Sequence, residues 1–429
     1  MYQPKMKLTA EEYDILSGKA GEVKAKLMET IVMFGDMFEA PRLVKVTYPN
    51  GHLVTSFGLG LLKPVYRTMD ELIQSGLKTE GYFTVDPRPY DPKNIHYSLI
   101  DKLINAKILY SMQKKYENQL MQVGLKNQNG FTCACYFPEV GNIPKTGDIL
   151  SWAESSAVNY ANSVLGARCN RNSGMIDLFG SILGYVPEFG LLTDEGRKAS
   201  WKVIIKTTKK PEAQILGSAI GIKVVEAVPY IIGLDKWLGS EMSDDVKSYL
   251  KDMGAATASN GAVGLYYVDK LTPEAKLKGQ ALIKEDAMEY IIDDKEMERI
   301  YQSYPIMWKD QDKEPQICFI GCPHLSLNQL NNWTDRIVQG LKNSNHDKVL
   351  YQTVLTTAPD VFEEFKKTPK YLALLESGCE LSSICPLMYT SNPLTKKRRM
   401  ATCSNKLRTY SFARFYKEED LLNLIVGRK

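Results

Sequence analysis

The C-terminal third of the chain alternates between short apolar runs and amphipathic segments, and this pattern restricts the fold more than any other part of the sequence. Residues 317–320 form an apolar run typical of a buried strand, and Ser326 begins a helical pattern that continues to Leu341. Strands that alternate with helices form parallel sheets with right-handed crossovers, so we expect an α/β fold. The further predicted elements are strands over 348–355, 380–384 and 400–402, and a helical segment over 359–377 with a break at Pro369.

Three cysteines follow predicted strands of this region. Cys322 comes after the first strand, Cys385 after the third and Cys403 after the fourth. Because ligands bind beyond the carboxyl ends of parallel strands, the fold would gather these thiols at one edge. Three thiolates without a nearby histidine pair suit an iron-sulfur cluster or a thiolate-rich zinc site. Their spacing is not that of a ferredoxin or a zinc finger, so simple burial as small hydrophobes remains an alternative.

The composition limits the class of protein. The chain has 429 residues, which corresponds to two or three domains, and 54 basic residues against 50 acidic ones. The first twenty residues contain no apolar core of a signal peptide, and no run approaches the length of a membrane helix, so we expect a cytoplasmic protein with reduced thiols and no membrane partner. One basic run, at 396–399, is typical of a solvated loop, and no nucleic-acid partner is expected.

Helical signals also occur in the N-terminal half. Thr9 and Glu12 form a capping box, and apolar residues at helical spacing predict a second helix over 23–38. Residues 148–166 show an apolar face and predict a helix that Asp148 caps and Gly166 ends, with its polar face in solvent.

Arg168, Asn170 and Arg171 follow that predicted helix directly. Two guanidinium groups with an amide between them can hold a carboxylate through paired hydrogen bonds. The alternative is that these cations only stabilise the helix C-terminus.

Ordered motifs along nearly the whole chain resemble the catalytic (large) subunit of the aconitase X family. The motifs are Thr132-Cys133, Gly141-Asn142-Ile143-Pro144, residues 151–157, residues 162–168, Asn170-Arg171, Gly254-Ala255-Ala256, Ala258-Ser259, Gly261-Ala262-Val263, Thr272-Pro273-Glu274-Ala275, residues 321–326, and Ile384-Cys385-Pro386.

The resemblance implies an aconitase-like architecture, with several α/β/α domains and parallel-type sheets around a central cluster cleft. It divides the chain into N-terminal and central domains over 1–310 and a C-terminal domain over 311–429. It also implies a hydro-lyase that removes water from a small hydroxy acid, such as cis-3-hydroxy-L-proline or mevalonate 5-phosphate.

The site residues come from the same resemblance. The implied cofactor is an iron-sulfur cluster with one iron open to substrate, where a Lewis acid assists loss of the hydroxyl group. The implied cluster ligands are Cys133, Cys322 and Cys385. The implied catalytic residues, which bind the substrate or lie at the edge of the cluster, are Arg168, Asn170, Arg171, His324, Ser404 and Lys406.

The serine base of aconitase-like enzymes comes from a swivelling domain. Only residues 404–429 follow Cys403, and a domain of about a hundred residues does not fit there. We therefore expect a small partner subunit that supplies this serine, and a chain that is inactive alone.

Some positions depart from the family pattern. Where the family has Thr-Cys-Thr-Pro-Tyr, this chain has a second thiol at Cys135, so either Cys133 or Cys135 would face the cluster. Cys169 replaces a family threonine and Cys403 replaces an asparagine, which makes Cys403 an alternate ligand. Cys318 and Cys379 are interpreted as core residues. The second hypothesis is a non-catalytic or zinc-thiolate binding protein that retains the fold.

Overall fold

The computed structural model describes residues 2–54 and 57–428. The strands are β1 Leu43–Lys45, β2 Gly51–Leu53, β3 Phe83–Val85, β4 Tyr185–Pro187, β5 Ala199–Ile205, β6 Pro229–Ile232, β7 Tyr267–Val268, β8 Ile283–Ile292, β9 Ile317–Leu325, β10 Gln352–Thr357, β11 Glu380–Ser382, β12 Met400–Thr402 and β13 Arg414–Phe415. 

The α-helices are α1 Ala10–Leu16, α2 Glu22–Met37, α3 Lys63–Gln74, α4 Leu99–Ile104, α5 Gln113–Val123, α6 Ser155–Tyr160, α7 Gly174–Leu183, α8 Ala213–Val224, α9 Asp235–Leu238, α10 Asp244–Asn260, α11 Pro273–Lys278, α12 Asp294–Gln302, α13 Leu327–Ser344, α14 Pro359–Lys366, α15 Pro369–Glu376, α16 Pro386–Ser391, α17 Asn405–Thr409 and α18 Glu418–Val426. Short π-helical turns at Asn105–Leu109 and Ala161–Leu165 extend α4 and α6, and 3₁₀ turns lie at Gly190–Leu192 and Gly279–Leu282. None of the helices in the described ranges has the length and apolar character needed to cross a bilayer.

The C-terminal sheet confirms the α/β prediction. Its five strands lie in the order β11-β10-β9-β12-β13, and every pair is parallel. Ser326 begins α13 with a complete capping box, and Pro369 separates α14 from α15 as predicted. Strand β9 continues beyond the predicted end at Ile320, because Gly321 adopts φ +109° and lets the strand bulge against Thr356, whose carbonyl oxygen a Cβ would meet at 2.4 Å.

The central region contains a second parallel sheet, in the order β7-β6-β5-β8. Helices α8 and α10 pack against each other beside it through glycines and alanines: a Cβ on Gly217 would meet the Met253 carbonyl oxygen at 2.2 Å. Their apolar residues join one core with the C-terminal sheet. The central and C-terminal sheets are therefore held in one packed body.

The N-terminal region is mainly helical, with a core of its own. Helix α1 has the predicted capping box and α2 lies where the periodicity placed it. Two small sheets accompany these helices: β1 with β4, antiparallel, and β2 with β3, parallel.

The prediction of one helix over 148–166 is wrong in its first half. Residues before Ser155 are extended: Ile149 pairs with Arg168, and Trp152 pairs with His52. Asp148 accepts a hydrogen bond from the Lys145 backbone instead of capping a helix. The helix begins after Glu154, and Gly166 ends it in the left-handed conformation as predicted.

Candidate active site

The candidate site lies where the carboxyl ends of two groups of parallel strands meet. On the C-terminal sheet, Cys322 lies in the carboxyl-terminal half of β9, Cys385 follows β11, and Cys403 follows β12. The main-chain N–H of Cys385 donates to the Arg88 carbonyl oxygen at 2.8 Å, which links this edge to the N-terminal region.

The second edge belongs to the small sheet of the N-terminal region. His52 on β2 lies opposite Thr84 on β3, and Asp86 follows β3 directly. Parallel bridges extend this sheet on both sides, from Val85 to Phe131 and from His52 to Trp152. The chain beyond those two bridges carries Cys133 on one side and Glu154 on the other.

His324 connects the three cysteine-bearing loops. Its Nδ1 atom lies 3.0 Å from the Thr132 hydroxyl oxygen, and its Nε2 atom lies 3.2 Å from the Ile384 carbonyl oxygen. Its main-chain N–H donates to the Cys133 sulfur at 3.4 Å. Because His324 is two residues after Cys322 and is fully buried, its contacts set the positions of the loops that carry Cys133 and Cys385. Burial lowers the pKa of His324 to about 3, so the ring is neutral at pH 7.

Cys133 and Cys322 are buried and Cys385 is half-buried, and the three thiols lie within electrostatic range of one another. Burial raises the pKa of each thiol to about 12. The charge of Cys133 would raise the pKa of Cys322, and that of Cys322 would raise the pKa of Cys385. A bound cationic group is what would allow three such thiols to ionise together, so the donor set fits a thiolate-bound metal centre.

A buried ion pair lies beside the thiols. Lys406 Nζ donates to Glu154 Oε1 at 2.5 Å and to the Ser156 hydroxyl at 3.2 Å, and both charged side chains are under 10% exposed. Burial alone would raise the pKa of Glu154, but the Lys406 charge and hydrogen bonds lower it to about 2. Burial acts to lower the pKa of Lys406, and Glu154, Cys322 and Cys133 together raise it above its ordinary value. Both partners are therefore charged at neutral pH.

His52 and Asp86 complete a buried polar group with Glu154. One ligand atom from each of the three residues lies within 4.8 Å of the others. Burial and the charge of Glu154 raise the pKa of Asp86 well above its usual range, while burial lowers the pKa of His52 to about 4. In the part of the chain that the structure describes, His52 Nε2 and Asp86 Oδ1 have no hydrogen-bond partner. A neutral imidazole, and a carboxyl group whose protonated form burial favours, thus remain available to a ligand.

Cys133 and Cys135, on either side of Ala134, have different environments. Cys133 contacts His324 and is coupled to Cys322, as described above. Cys135 is fully buried in the main apolar core, and its thiol interacts with the Thr84 hydroxyl. Cys403, the other alternate, is buried, and its burial and the charges of Glu418 and Glu212 raise the pKa of its thiol.

The predicted carboxylate-binding group lies on a separate loop. The Arg168 guanidinium donates to the Leu192 carbonyl oxygen at 3.0 Å and pairs with Asp194. The Asn170 amide bonds to the Phe189 and Leu191 backbone at 2.8 Å. Arg171 is exposed. The first two side chains therefore hold the 189–194 loop, and only Arg171 presents its guanidinium to solvent.

Ser404 caps helix α17 and contacts the backbone of Cys322. Its hydroxyl donates to the Cys322 carbonyl oxygen and accepts from the Leu407 N–H at 3.1 Å, so it caps α17. This cap directs Lys406 from the first turn of α17 toward Glu154.

Sequence reasoning missed His52, Asp86 and Glu154 as site residues. Strands β2 and β3 have three residues each, and the bridges to Phe131 and Trp152 are single, so no periodic signal marks them. Two signals were available: Glu154 lies within the family motif at 151–157, and Asp86 is an acidic residue between an apolar triplet and a proline-rich loop.

Comparison with known proteins identifies the family. The model of the aconitase X first domain matches residues 5–195, and that of the second domain matches residues 200–302. The chain belongs to the aconitase X family. The sequence motifs that include the strand-end cysteines had indicated the same family.

Individual aconitase X relatives agree with this assignment. The phosphomevalonate dehydratase large subunit of Thermococcus kodakarensis is 32% identical over 75% of each chain. The cis-3-hydroxy-L-proline dehydratase of Hypocrea jecorina is 29% identical over 51% of this chain and 36% of that protein. The crystal structure of Thermococcus kodakaraensis aconitase X in its holo-form superposes with a TM-score of 0.78 at 26% identity, covering 98% of this chain and 99% of that one. The predicted aconitase-like fold is thereby confirmed.

Proposed function

We propose that this chain is the large subunit of a hydro-lyase that removes water from mevalonate 5-phosphate and binds an iron-sulfur cluster through Cys133, Cys322 and Cys385. The observation that carries the proposal is the fully buried His324, which joins all three cysteine loops beside the Glu154–Lys406 pair. Membership of the aconitase X family and the name of the Thermococcus kodakarensis relative support the reaction class.

The thiols are not placed for a single zinc ion. Zinc binds sulfur at about 2.3 Å, so sulfur atoms on one tetrahedral ion lie about 3.8 Å apart. Within residues 2–54 and 57–428, no three cysteine sulfurs lie within 4.8 Å of one another. A multinuclear cluster spans a wider set of thiolates than one ion does.

The residues around the thiols suit the loss of a hydroxyl group next to a carboxylate. When bound, the cluster would supply a Lewis acid for the leaving hydroxyl. Lys406 offers an ammonium group to the substrate anion, and Glu154 holds that ammonium in place. The Asp86 carboxyl group, whose protonated form burial favours, can give a proton to the departing oxygen, and neutral His52 can accept or donate a hydrogen bond at Nε2.

Substrate orientation by the predicted Arg168, Asn170 and Arg171 remains part of the proposal. Arg171 is the member whose guanidinium is exposed and therefore suited to a phosphate or carboxylate. We favour mevalonate 5-phosphate because the phosphomevalonate dehydratase subunit matches this chain over 75% of its length, whereas the cis-3-hydroxy-L-proline dehydratase matches over 36% of its length. The base that removes the proton from the adjacent carbon is a serine of the small subunit in this proposal.

The test uses the chain purified anaerobically together with the small subunit encoded in the same genome. Iron and sulfide are assayed, and mevalonate 5-phosphate and cis-3-hydroxy-L-proline are supplied separately. Proton NMR should show a new alkene from mevalonate 5-phosphate only with both subunits present. Failure to bind iron after reconstitution, or an equimolar zinc content with no iron, would contradict the cluster assignment.

A matched pair of cysteine variants sharpens this test. Cys322→Ser should lose bound iron and activity, whereas Cys318→Ser, four residues earlier on the same strand and fully buried, should keep both. Equal loss in the two variants would mean that the strand packing, not the thiol ligand, explains the result. Water loss from cis-3-hydroxy-L-proline alone would reassign the substrate but keep the reaction.

A further inference from the structure

One helix of the N-terminal region presents an apolar face to solvent instead of to its own core. Helix α4 contains no buried residue, and the π-helical turn that extends it buries only Asn105. Four large aliphatic side chains along 99–109 are more than half exposed: Leu99 by 84%, Ile100 by 70%, Leu103 by 55% and Ile108 by 66%. A helix that keeps its aliphatic residues outside is stable only if something else covers them.

The exposed residues form one face. Leu99 and Leu103 are one α-helical turn apart, and the π-helical turn brings Ile108 round below Leu103. The 58–62 loop lies beside the end of this helix, since the Met112 N–H donates to the Gly58 carbonyl oxygen at 3.2 Å, and it adds Leu61, which is 92% exposed. We call these five side chains the α4 patch.

The segment that carries the α4 patch is connected to the candidate active site through helix α16. The Asn392 side chain donates to Asn105 at 2.5 Å, and Asn392 follows α16 directly. Cys385 is the residue that caps the start of α16, and its backbone bonds to the Arg88 backbone two residues after Asp86. The patch is thus connected through one short helix to a proposed cluster ligand.

We propose that the α4 patch is the docking surface for the small subunit. This inference rests on the proposed function, in which a second chain must bring its serine to the rim of the thiol site. A partner that completes the site has to bind within reach of Cys385 and Asp86, and the α4 patch is an apolar surface on a segment bonded to α16, the helix that Cys385 begins.

The area of the patch agrees with a subunit interface. With burial of a large aliphatic side chain corresponding to roughly 100 Å², the patch exposes apolar surface on the order of 300–400 Å². A standard interface buries about 800 Å² on each partner, of which a little over half is apolar. The patch therefore supplies most of the apolar part of one side of such an interface.

Charge around the patch indicates the chemistry of the partner. Lys107 lies on the same helix, and Lys396 and Lys397 follow Asn392; all three are exposed. The complementary surface of the small subunit should therefore be an apolar groove with acidic residues at its edge.

The experiment measures binding of the small subunit to the full chain by isothermal titration calorimetry. The variant Ile100→Glu/Leu103→Glu places charges in the patch at exposed positions, and Leu372→Glu on α15, 63% exposed in the native chain, is the matched control. We expect the patch variant to raise the Kd by about 30-fold or more, which is the effect of losing an interface hot spot. The control variant should bind as the native chain does. Circular dichroism and iron content should be unchanged in both variants.

Each outcome decides the proposal. Equal binding by the native chain and the patch variant would overturn the docking surface and leave the dehydratase function intact. A native chain that elutes as a dimer, which the patch variant converts to a monomer without affecting small-subunit binding, would assign the patch to a second copy of this chain. No binding of the small subunit by the native chain would overturn both this proposal and the two-chain part of the function.

A second measurement does not depend on the folding of a charged variant. Ile108→Cys, labelled with an environment-sensitive fluorophore, should change its emission on addition of the small subunit. The same label on Leu372→Cys should not respond, and a response at both positions, or at neither, would refute the location of the docking surface.

Discussion

Replacing Lys406 by methionine should strongly destabilise the chain, because Glu154 would remain as an unpaired buried carboxylate. The two side chains are 8% and 4% exposed, and the bond between them is 2.5 Å. Removing one partner of a buried pair costs about 3–5 kcal/mol, since the remaining charge keeps its desolvation penalty without its counter-ion. We therefore expect Lys406→Met to lose about that much of the free energy of unfolding.

Replacing both partners should recover most of this loss. In Glu154→Gln/Lys406→Met no buried charge remains, and the main residual cost is the weaker helix cap at residue 154, whose carboxylate accepts the Ala157 N–H at 2.6 Å. A lost cap costs about 1 kcal/mol. The double variant should thus lie about 2–4 kcal/mol above Lys406→Met in stability.

Urea unfolding of the cluster-free chain, followed by tryptophan fluorescence under anaerobic conditions, measures these differences. Lys367→Met is the control: its 2.7 Å ion pair with Glu364 is solvent-exposed, with side chains 68% and 46% accessible, and should contribute under about 1 kcal/mol. If Lys406→Met and Lys367→Met had the same stability, or if the double variant were no more stable than Lys406→Met, the reasoning about the buried pair would be wrong.

Three further predictions concern the thiol loops and one buried carboxyl group. Cys133→Ser should abolish retained iron in the anaerobically purified protein, whereas Cys135→Ser should keep it; the reverse pattern would make the other thiol the ligand. His324→Ala removes the contacts that join the three loops, so iron content should fall although all eight thiols remain, and full iron retention would refute that role. Burial and the nearby Glu418 raise the pKa of Glu212 to about 8. The folded chain keeps the proton on Glu212 up to about pH 8, whereas the unfolded chain releases it near pH 4. The contribution of Glu212 to the free energy of unfolding therefore falls as the pH rises from about 4 to about 8. Glu212→Gln should be more stable than the native chain at pH 8 by about 4 kcal/mol, with a smaller difference at pH 5, as followed by thermal melts; a difference that grows toward acid pH would contradict the sign.

The C-terminal half of the site could be predicted because its signals are local. Each apolar run and each amphipathic segment is long enough to show its own period, and parallel pairing of the strands follows from their alternation with helices. Once the strands are parallel, Cys322 and Cys385 must approach one edge of the sheet. The family motifs added Cys133, which the periodicity by itself did not connect to that edge.

The other half of the site depends on contacts between distant segments. Glu154 lies in a polar stretch that the sequence favoured as a solvated helix face, and its burial requires Lys406, which is 252 residues away. His52 and Asp86 lie on strands too short to have a period, and single bridges bring them beside Cys133.

The sequence by itself therefore determined the fold class, the family and the edge at which the thiols gather, because secondary-structure periods and family motifs are written in neighbouring residues. Only the tertiary structure decided which polar side chains surround those thiols and how each one titrates. A pKa depends on burial and on charges a few ångströms away, and for this site those charges come from chain segments that meet only when both parallel edges are in place.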